Sequence, residues 1–262
     1  MLVATGEGLL DAIDSLRGRR EQIMLVGRPT FDEPVDVKRA VIVGEGVPGN
    51  SGGGGTMVTF GGTAGFFSSM QDNFGYELRD LDIVGSAGPS PNRNGQTLVD
   101  FTGQNSPRLA NVRLRRAETG MLLANGATVD CHYGRFYGID AQQCVRAVHV
   151  ADGAHSHQWF GGRWWACATA GLIDAANNIG FHGVAFEAHT TAGVDSAGSN
   201  VSTVGCRFEA QSSSVKNLTA HGTPGVHYCF GDHWSTGIDP TDQSYDGPPV
   251  CGLVKGRLLG VT

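Results

Sequence analysis

Gly183-Val184-Ala185-Phe186-Glu187-Ala188 is answered one period later by Gly205-Cys206-Arg207-Phe208-Glu209-Ala210, a spacing of twenty-two. The same spacing extends in both directions, from Trp164 to Phe186 and from Phe208 to Phe230. Upstream, Phe136, Leu114, Ile83 and Phe60 continue the series at steps of twenty-eight, twenty-two, thirty-one and twenty-three. A second apolar series trails the first by about eight positions, at Met121, Leu172, Val194 and Val215. Two such series sharing a period are the mark of an internal repeat.

Between these positions the chain is made of short apolar runs closed by Gly, Asn, Asp and Ser. Ile23-Met24-Leu25-Val26, Ala40-Val41-Ile42-Val43, Met57-Val58-Thr59-Phe60 and Leu81-Asp82-Ile83-Val84 read as strands. One segment, Gly8 to Arg19, reads as a helix, with Leu9, Leu10, Ile13 and Leu16 at helical spacing and Gly18 near its end. No second helical pattern follows, which excludes an α/β fold with helices between its strands. Several short strands per repeat predict a β-solenoid of eight or nine coils, each stacked on the last at ~4.8 Å. The two longer steps, from Ile83 to Leu114 and from Phe136 to Trp164, predict loops inserted between coils. Gly- and Pro-rich stretches over 49–55 and 86–96 are the candidate loops. The helix covers the open first coil, whose bare edge would otherwise pair with other chains. The predicted organisation is a capping helix over 1–20, a parallel β-helix over 21–236, and a C-terminal cap or subunit-contact segment over 237–262. In that last segment Leu253, Val254, Leu258, Leu259 and Val261 form a final apolar strand.

Composition agrees. Of 262 residues 40 are Gly, about twice the usual ~7%, as suits a chain of many tight corners. Only 17% of residues are charged and the formal net charge is −6, which argues against nucleic acid as a partner. No run of apolar residues is long enough to span a membrane. The opening Met1 to Glu7 lacks a basic region and an apolar stretch, so no signal peptide is expected and synthesis is cytoplasmic. The six cysteines form no CxxC pair and read as reduced, buried thiols.

Arg28-Pro29-Thr30-Phe31, followed by Val35-Asp36-Val37-Lys38-Arg39-Ala40-Val41-Ile42-Val43-Gly44-Glu45-Gly46, resembles the opening coils of the pectin-lyase-like right-handed parallel β-helix superfamily. The resemblance implies an all-β, right-handed solenoid with an N-terminal capping helix. It covers most of the chain as architecture. Polysaccharide lyases, glycoside hydrolases, bacteriophage tailspikes and other virion proteins share that fold, so it leaves function open.

The catalytic signatures of the superfamily do not carry over. Asn-Thr-Asp, Asp-Asp and Arg-Ile-Lys are absent, and Gly180-Phe181-His182-Gly183 only approximates Gly-His-Gly. Asp140, Asp174 and Asp195 are candidate acids without the spacing of a calcium cage. Gly44-Glu45-Gly46-Val47-Pro48-Gly49 matches a dinucleotide fingerprint, but Pro48 and the glycines at 52–55 preclude the helix it requires. It is a turn, and no cofactor is expected. His155-Ser156-His157 could present two rings on one side of a strand, and His221, His227 and His233 form a looser group. Neither supplies a convincing third ligand, and no metal is expected.

The residues flanking the inward series point outward. Before it stand Arg113, Arg135, Arg163, Ala185, Arg207 and Cys229; after it stand Arg115, Tyr137, Trp165, Glu187, Glu209 and Gly231. Such a face admits three readings: a subunit interface, a glycan site, or a solvated surface. Arg135, Tyr137, Arg163, Trp165 and Arg207 are the candidate glycan-binding or interface residues. Glu187 and Glu209, one coil apart, are the candidate acid–base pair, near the ~5–5.5 Å separation of a retaining glycosidase.

Two functions follow from the resemblance. The first is a virion or tail-associated structural and host-surface glycan-recognition protein of tailspike type. It would be homotrimeric, built into the virion with other virion proteins, and would bind a cell-surface polysaccharide. The alternative is a polysaccharide lyase or glycoside hydrolase acting on an acidic or cell-surface polysaccharide. The missing signatures favour the first.

Overall fold

The computed structural model describes residues 2–48, 54–71, 75–86, 94–210, 215–220, 227–234, 252–254 and 257–259. The repeat closes into a parallel β-solenoid of about nine turns with one short helix near its N-terminus. Each turn contributes to two sheets. The first, of 15 strands, includes the long members Glu77–Val84, Arg108–Arg115, Arg135–Gln142 and Gln158–Trp165. In the next turn that long strand divides into Asn177–His182 and Ala185–His189. The second sheet, of eight strands, includes Thr119–Leu123, Arg146–Val150, Thr169–Ile173 and Ala192–Ser196. Every pairing within these two sheets is parallel, as stacking of successive turns demands.

Each long strand carries a bend at one fixed place. Asp80, Asn111, Gly138, Gly161, Gly183, Gly205 and Gly231 all have φ between 52° and 66° and fall one per turn. This left-handed conformation costs an ordinary residue about 1–2 kcal/mol, and Gly, Asn and Asp visit it most readily. Where the bend is not Gly its side chains support one another: Asn111 Nδ2 donates to Asp80 Oδ1 at 3.1 Å. The bend inserts one residue into the in–out alternation, so the strands Glu77–Val84, Arg108–Arg115 and Arg135–Gln142 each bury one apolar residue before it and two beyond it.

Three inward ladders result: one directly beyond the bend, through Leu81, Val112 and Ile139, and two that carry the large side chains. Of these two, one stacks Leu78, Leu109, Phe136, Trp159 and Phe181. The other stacks Val58, Ile83, Leu114, Ala141, Trp164, Phe186 and Phe208. This corrects the single series read from the sequence. Phe136 is in register with Leu109 and Trp159, not with Leu114 and Trp164, and Phe208 is in register with Trp234, not Phe230. A search for one large side chain per period jumps between ladders, because the larger side chain is on a different ladder in different turns. The second series needs a similar correction. Met121 and Val194 belong to a column with Val148, Gly171 and Leu218, whereas Leu172 is one position late and Val215 three early.

The rings in these ladders are fully buried and touch across turns, Phe136 on Trp159 at 4.9 Å and Trp159 on Phe181 at 5.0 Å. Cys131, Cys144, Cys167, Cys206 and Cys229 are free, buried thiols among them. Cys251 lies outside the described residues.

The helix spans Gly6–Ser15, beginning before the expected Gly8 and ending before the expected Arg19. A strand, Leu2–Ala4, precedes it and pairs in parallel with Gln22–Leu25, so the first rung is laid before the cap. Gly6 permits the early start, since a Cβ there would stand 2.3 Å from Pro29 Cβ. Arg17 and Gly18, both at positive φ, turn the chain out of the helix. Leu9, Ile13 and Leu16 are buried and Leu10 is exposed. At the far end, Gly252–Val254 and Arg257–Leu259 pair as antiparallel strands rather than forming one. The rest of 235–262, and the centres of the expected loops at 49–53 and 87–93, lie outside the described residues. No helix among the described residues is long and apolar enough to cross a membrane.

Candidate functional site

The register of the first sheet arranges its outward side chains in columns on either side of the bend. Beyond the bend run two mixed columns. Asp82, Arg113, Asp140 and Arg163 stack in one; Arg115, Gln142, Trp165, Glu187 and Glu209 stack in the other. Opposite charges alternate down the first column, and its charges also pair across to those of the second. Arg115 grips the buried Asp82 with two bonds of 2.9 and 2.6 Å, and Arg113 Nε reaches Asp140 at 3.0 Å. Arg163 Nε lies 2.6 Å from Glu187 Oε2, Arg207 lies 3.3 Å from Glu187 Oε1, and Arg207 also pairs with Glu209. Arg163 packs over the Trp165 ring, 5.7 Å from its centroid. This half of the face is an ion-pair lattice whose charges satisfy one another.

The half before the bend differs. Tyr137, Phe160 and His182 are register partners on successive turns and stack nearly parallel. Tyr137 and Phe160 lie 5.0 Å apart at 14°, Phe160 and His182 4.9 Å apart at 11°. Tyr137 is 48% exposed and the other two rings are half-buried. Partial burial lowers the pKa of His182, and its Nε2 meets Gln158 Oε1 at 2.7 Å, an arrangement in which the ring nitrogen donates. The column continues through Val204 and Phe230, both exposed, and Tyr228 stacks on Phe230. Arg108 and Arg135 are register partners in the neighbouring column. Arg135 donates to the carbonyls of Gly134 and Ser156, and Arg108 has no ion-pair partner among the described residues. A depression of about 470 Å³ opens at this end, lined by Arg79, Arg108, Ala110, Asn111, Arg135 and Tyr137 among others.

The structure therefore divides the candidate residues into two groups. Arg135 and Tyr137 lie before the bend; Arg163, Trp165, Arg207, Glu187 and Glu209 lie beyond it. The neighbour of Tyr137 is Phe160, not Trp165. Glu187 and Glu209 are register partners as expected, and each is engaged by arginine. Phe160 and His182 were missed because Trp164 took the place of Trp159 in the inward series. Phe160 lies twenty-three residues after Tyr137 and His182 twenty-two after Phe160, so a strict step of twenty-two from Tyr137 lands on the inward Trp159 and Phe181 instead.

The other candidates disperse. Asp140 belongs to the first sheet, Asp195 to the second, and Asp174 closes a second-sheet strand, where it meets His149 at 2.8 Å. His155 and His157 part company. His155 stacks on His132 at 5.3 Å and accepts the Asn177 N–H, while His157 is buried against Phe136 and Trp159 and accepts the Gly134 N–H. Burial pushes the His157 pKa down to about 3. His221 lies outside the described residues. Among those described, no three His, Cys, Asp or Glu side chains gather as a metal site would require.

No family model and no curated protein matches the chain. In structure it is similar to the tailspike protein of Acinetobacter baumannii phage AM24, with a TM-score of 0.50 at 12% identity over 88% of this chain. The match covers 49% of the tailspike chain, so this chain spans about half of that protein's length. The likeness is one of fold, a parallel β-helix.

Proposed function

We propose that this chain is the β-helix of a virion protein of tailspike type, which recognises a host-surface polysaccharide through the outward face of its first sheet. One observation carries the reading: the Tyr137–Phe160–His182 stack, held in register on a rigid solenoid beside Arg108 and Arg135. Outward-facing rings that are at least partly exposed, next to guanidinium groups, offer a sugar both an apolar surface and hydrogen-bond donors. The likeness of fold to a phage tailspike agrees with it. Membership of the pectin-lyase-like superfamily, incorporation into a virion beside other virion proteins, and assembly as a homotrimer belong to the same reading. Arg163, Trp165 and Arg207 then extend the recognition face or contact a neighbouring copy.

The alternative, a polysaccharide-cleaving enzyme, rests on Glu187 and Glu209 standing in register on adjacent turns. Their arginine partners favour binding over acid–base work, because a general acid needs its charged form disfavoured, whereas a guanidinium favours it. The test is the native mass by light scattering, together with retention on polysaccharide. A mass of three chains with retention is the expected result. A monomer that retains no polysaccharide overturns the proposal.

A further inference from the structure

The aromatic column stops abruptly at Tyr137. Phe160 has a ring against each of its faces, but the register partner of Tyr137 on the preceding turn is Ala110, and the one before that is Arg79. Tyr137 thus has Phe160 on one face and a methyl group below the other. From Tyr137 to Arg79 is two inter-strand steps, about 9.6 Å along the axis. The space of the missing ring belongs to the depression of about 470 Å³, which both Ala110 and Tyr137 line. That volume lies within the ~300–1,000 Å³ typical of small-ligand sites.

Three arginines, Arg79, Arg108 and Arg135, and two acids, Glu77 and Asp80, line the slot, a net positive set. Arg108 and Arg135 stand on adjacent turns at its side, two like charges in register. The acids at its margin are committed. Glu77 is buried and bound by Arg79 at 2.7 Å and Arg20 at 3.1 Å, and Asp80 accepts from Asn111. In a chain of net charge −6 this is a local cationic site. An anion placed between the two guanidinium groups would relieve their repulsion and take charge-assisted hydrogen bonds from both.

We propose that this slot binds one pyranose ring bearing a carboxylate, a uronic-acid-type unit of an acidic polysaccharide. The C–H face of the sugar lies on the open face of Tyr137, in the place a further aromatic ring would occupy, and its carboxylate lies against Arg108 and Arg135. The inference rests on the polysaccharide-recognition reading above and names the class of sugar.

The test uses the full chain on an immobilised panel of oligosaccharides, half containing uronic acids and half neutral, with Ala110→Phe, Arg108→Ala and Tyr137→Ala as variants. All three side chains face outward, and an unchanged melting temperature shows that each variant folds. Retention is expected for acidic members, weakening as salt screens the pair. Ala110→Phe fills the slot with the missing ring and is expected to weaken retention about tenfold or more, as loss of a central contact does. Should Ala110→Phe fail to fold, Arg108→Ala and Tyr137→Ala test the same two contacts separately. Retention of neutral members only, or acidic retention that survives these variants, overturns the slot and leaves polysaccharide recognition standing. Retention of no member overturns both. A native mass that changes in Ala110→Phe would make the slot a contact between copies and overturn the proposal.

Discussion

Phe186 and Phe208 stack inside the solenoid with ring centroids 4.8 Å apart and planes at 13°, one directly above the other in adjacent turns. The contact is the repeat made physical. The two rings meet because the stretch of chain between them completes one turn and rises one inter-strand step. Both rings are fully buried, so truncating one leaves a cavity that rigid neighbouring strands cannot close. Phe186→Ala is expected to destabilise the chain by about 3–5 kcal/mol, read from urea denaturation. A loss below about 1 kcal/mol would contradict this packing.

The bend positions make a prediction about glycine. Gly205 has φ +61° and open space around its missing Cβ, so Gly205→Ala meets only the strain of the left-handed backbone, about 1 kcal/mol. Gly162, which follows the Gly161 bend, has φ +99°, and a Cβ there would stand 2.2 Å from the Ile139 carbonyl oxygen. Gly162→Ala is expected to cost clearly more, since the main chain of the preceding turn must move. Equal melting temperatures for the two variants would refute the distinction.

His157 sets a pH dependence. Burial holds its folded pKa at about 3, against ~6.5 in the unfolded chain. Below pH ~6.5 the unfolded state takes up a proton that the folded state refuses. Stability is therefore lost as pH falls from ~6.5 towards ~3, by up to about 1.4 kcal/mol per unit, and this contribution is flat above. His157→Gln keeps an acceptor for the Gly134 N–H and removes the titration. Melting temperatures of the two proteins between pH 7 and pH 4 should diverge, the variant losing less on acidification; parallel curves would count against the assignment.

The ion-pair lattice separates structural from dispensable charges. Asp82 is 1% exposed and held by two partly buried arginines, so Asp82→Asn leaves their guanidinium groups poorly matched around a buried site. It is expected to cost about 3–5 kcal/mol in chemical denaturation. Glu187→Gln with Glu209→Gln touches more exposed pairs and is expected to cost about 1 kcal/mol or less. That double variant should keep polysaccharide retention intact. If the parent protein cleaves a polysaccharide and the folded double variant does not, the enzyme reading replaces recognition without cleavage.

Much of the site was legible once the turn was known, and much was misplaced because one register was misread. Arg135 and Tyr137 were picked out correctly as outward residues. Their pairing with Arg163 and Trp165 followed from setting Phe136 beside Trp164, whereas Trp159 is the true partner. The error came from the bend. A left-handed residue inside each long strand separates the inward ladder before it from those beyond it, and a count of apolar spacing does not distinguish a side chain on one from a side chain on another. Phe160 and His182 were hidden by the same shift, and with them the outward stack of three rings that begins at Tyr137.

The amino-acid sequence alone determined the class of fold: a near-constant repeat interval, strands without intervening helices, and glycine at the corners suffice for a solenoid. Periodicity is a local, one-dimensional property, so it survives in the primary structure whatever the register. Which side chain sits on which in the next turn was decided only by the tertiary structure. That choice depends on where each turn bends and where extra residues are accommodated, and a small shift carries a side chain from one column to another. The slot beneath Tyr137 exists for that reason: Ala110, a full turn earlier in the chain, becomes its neighbour only when the turns are stacked.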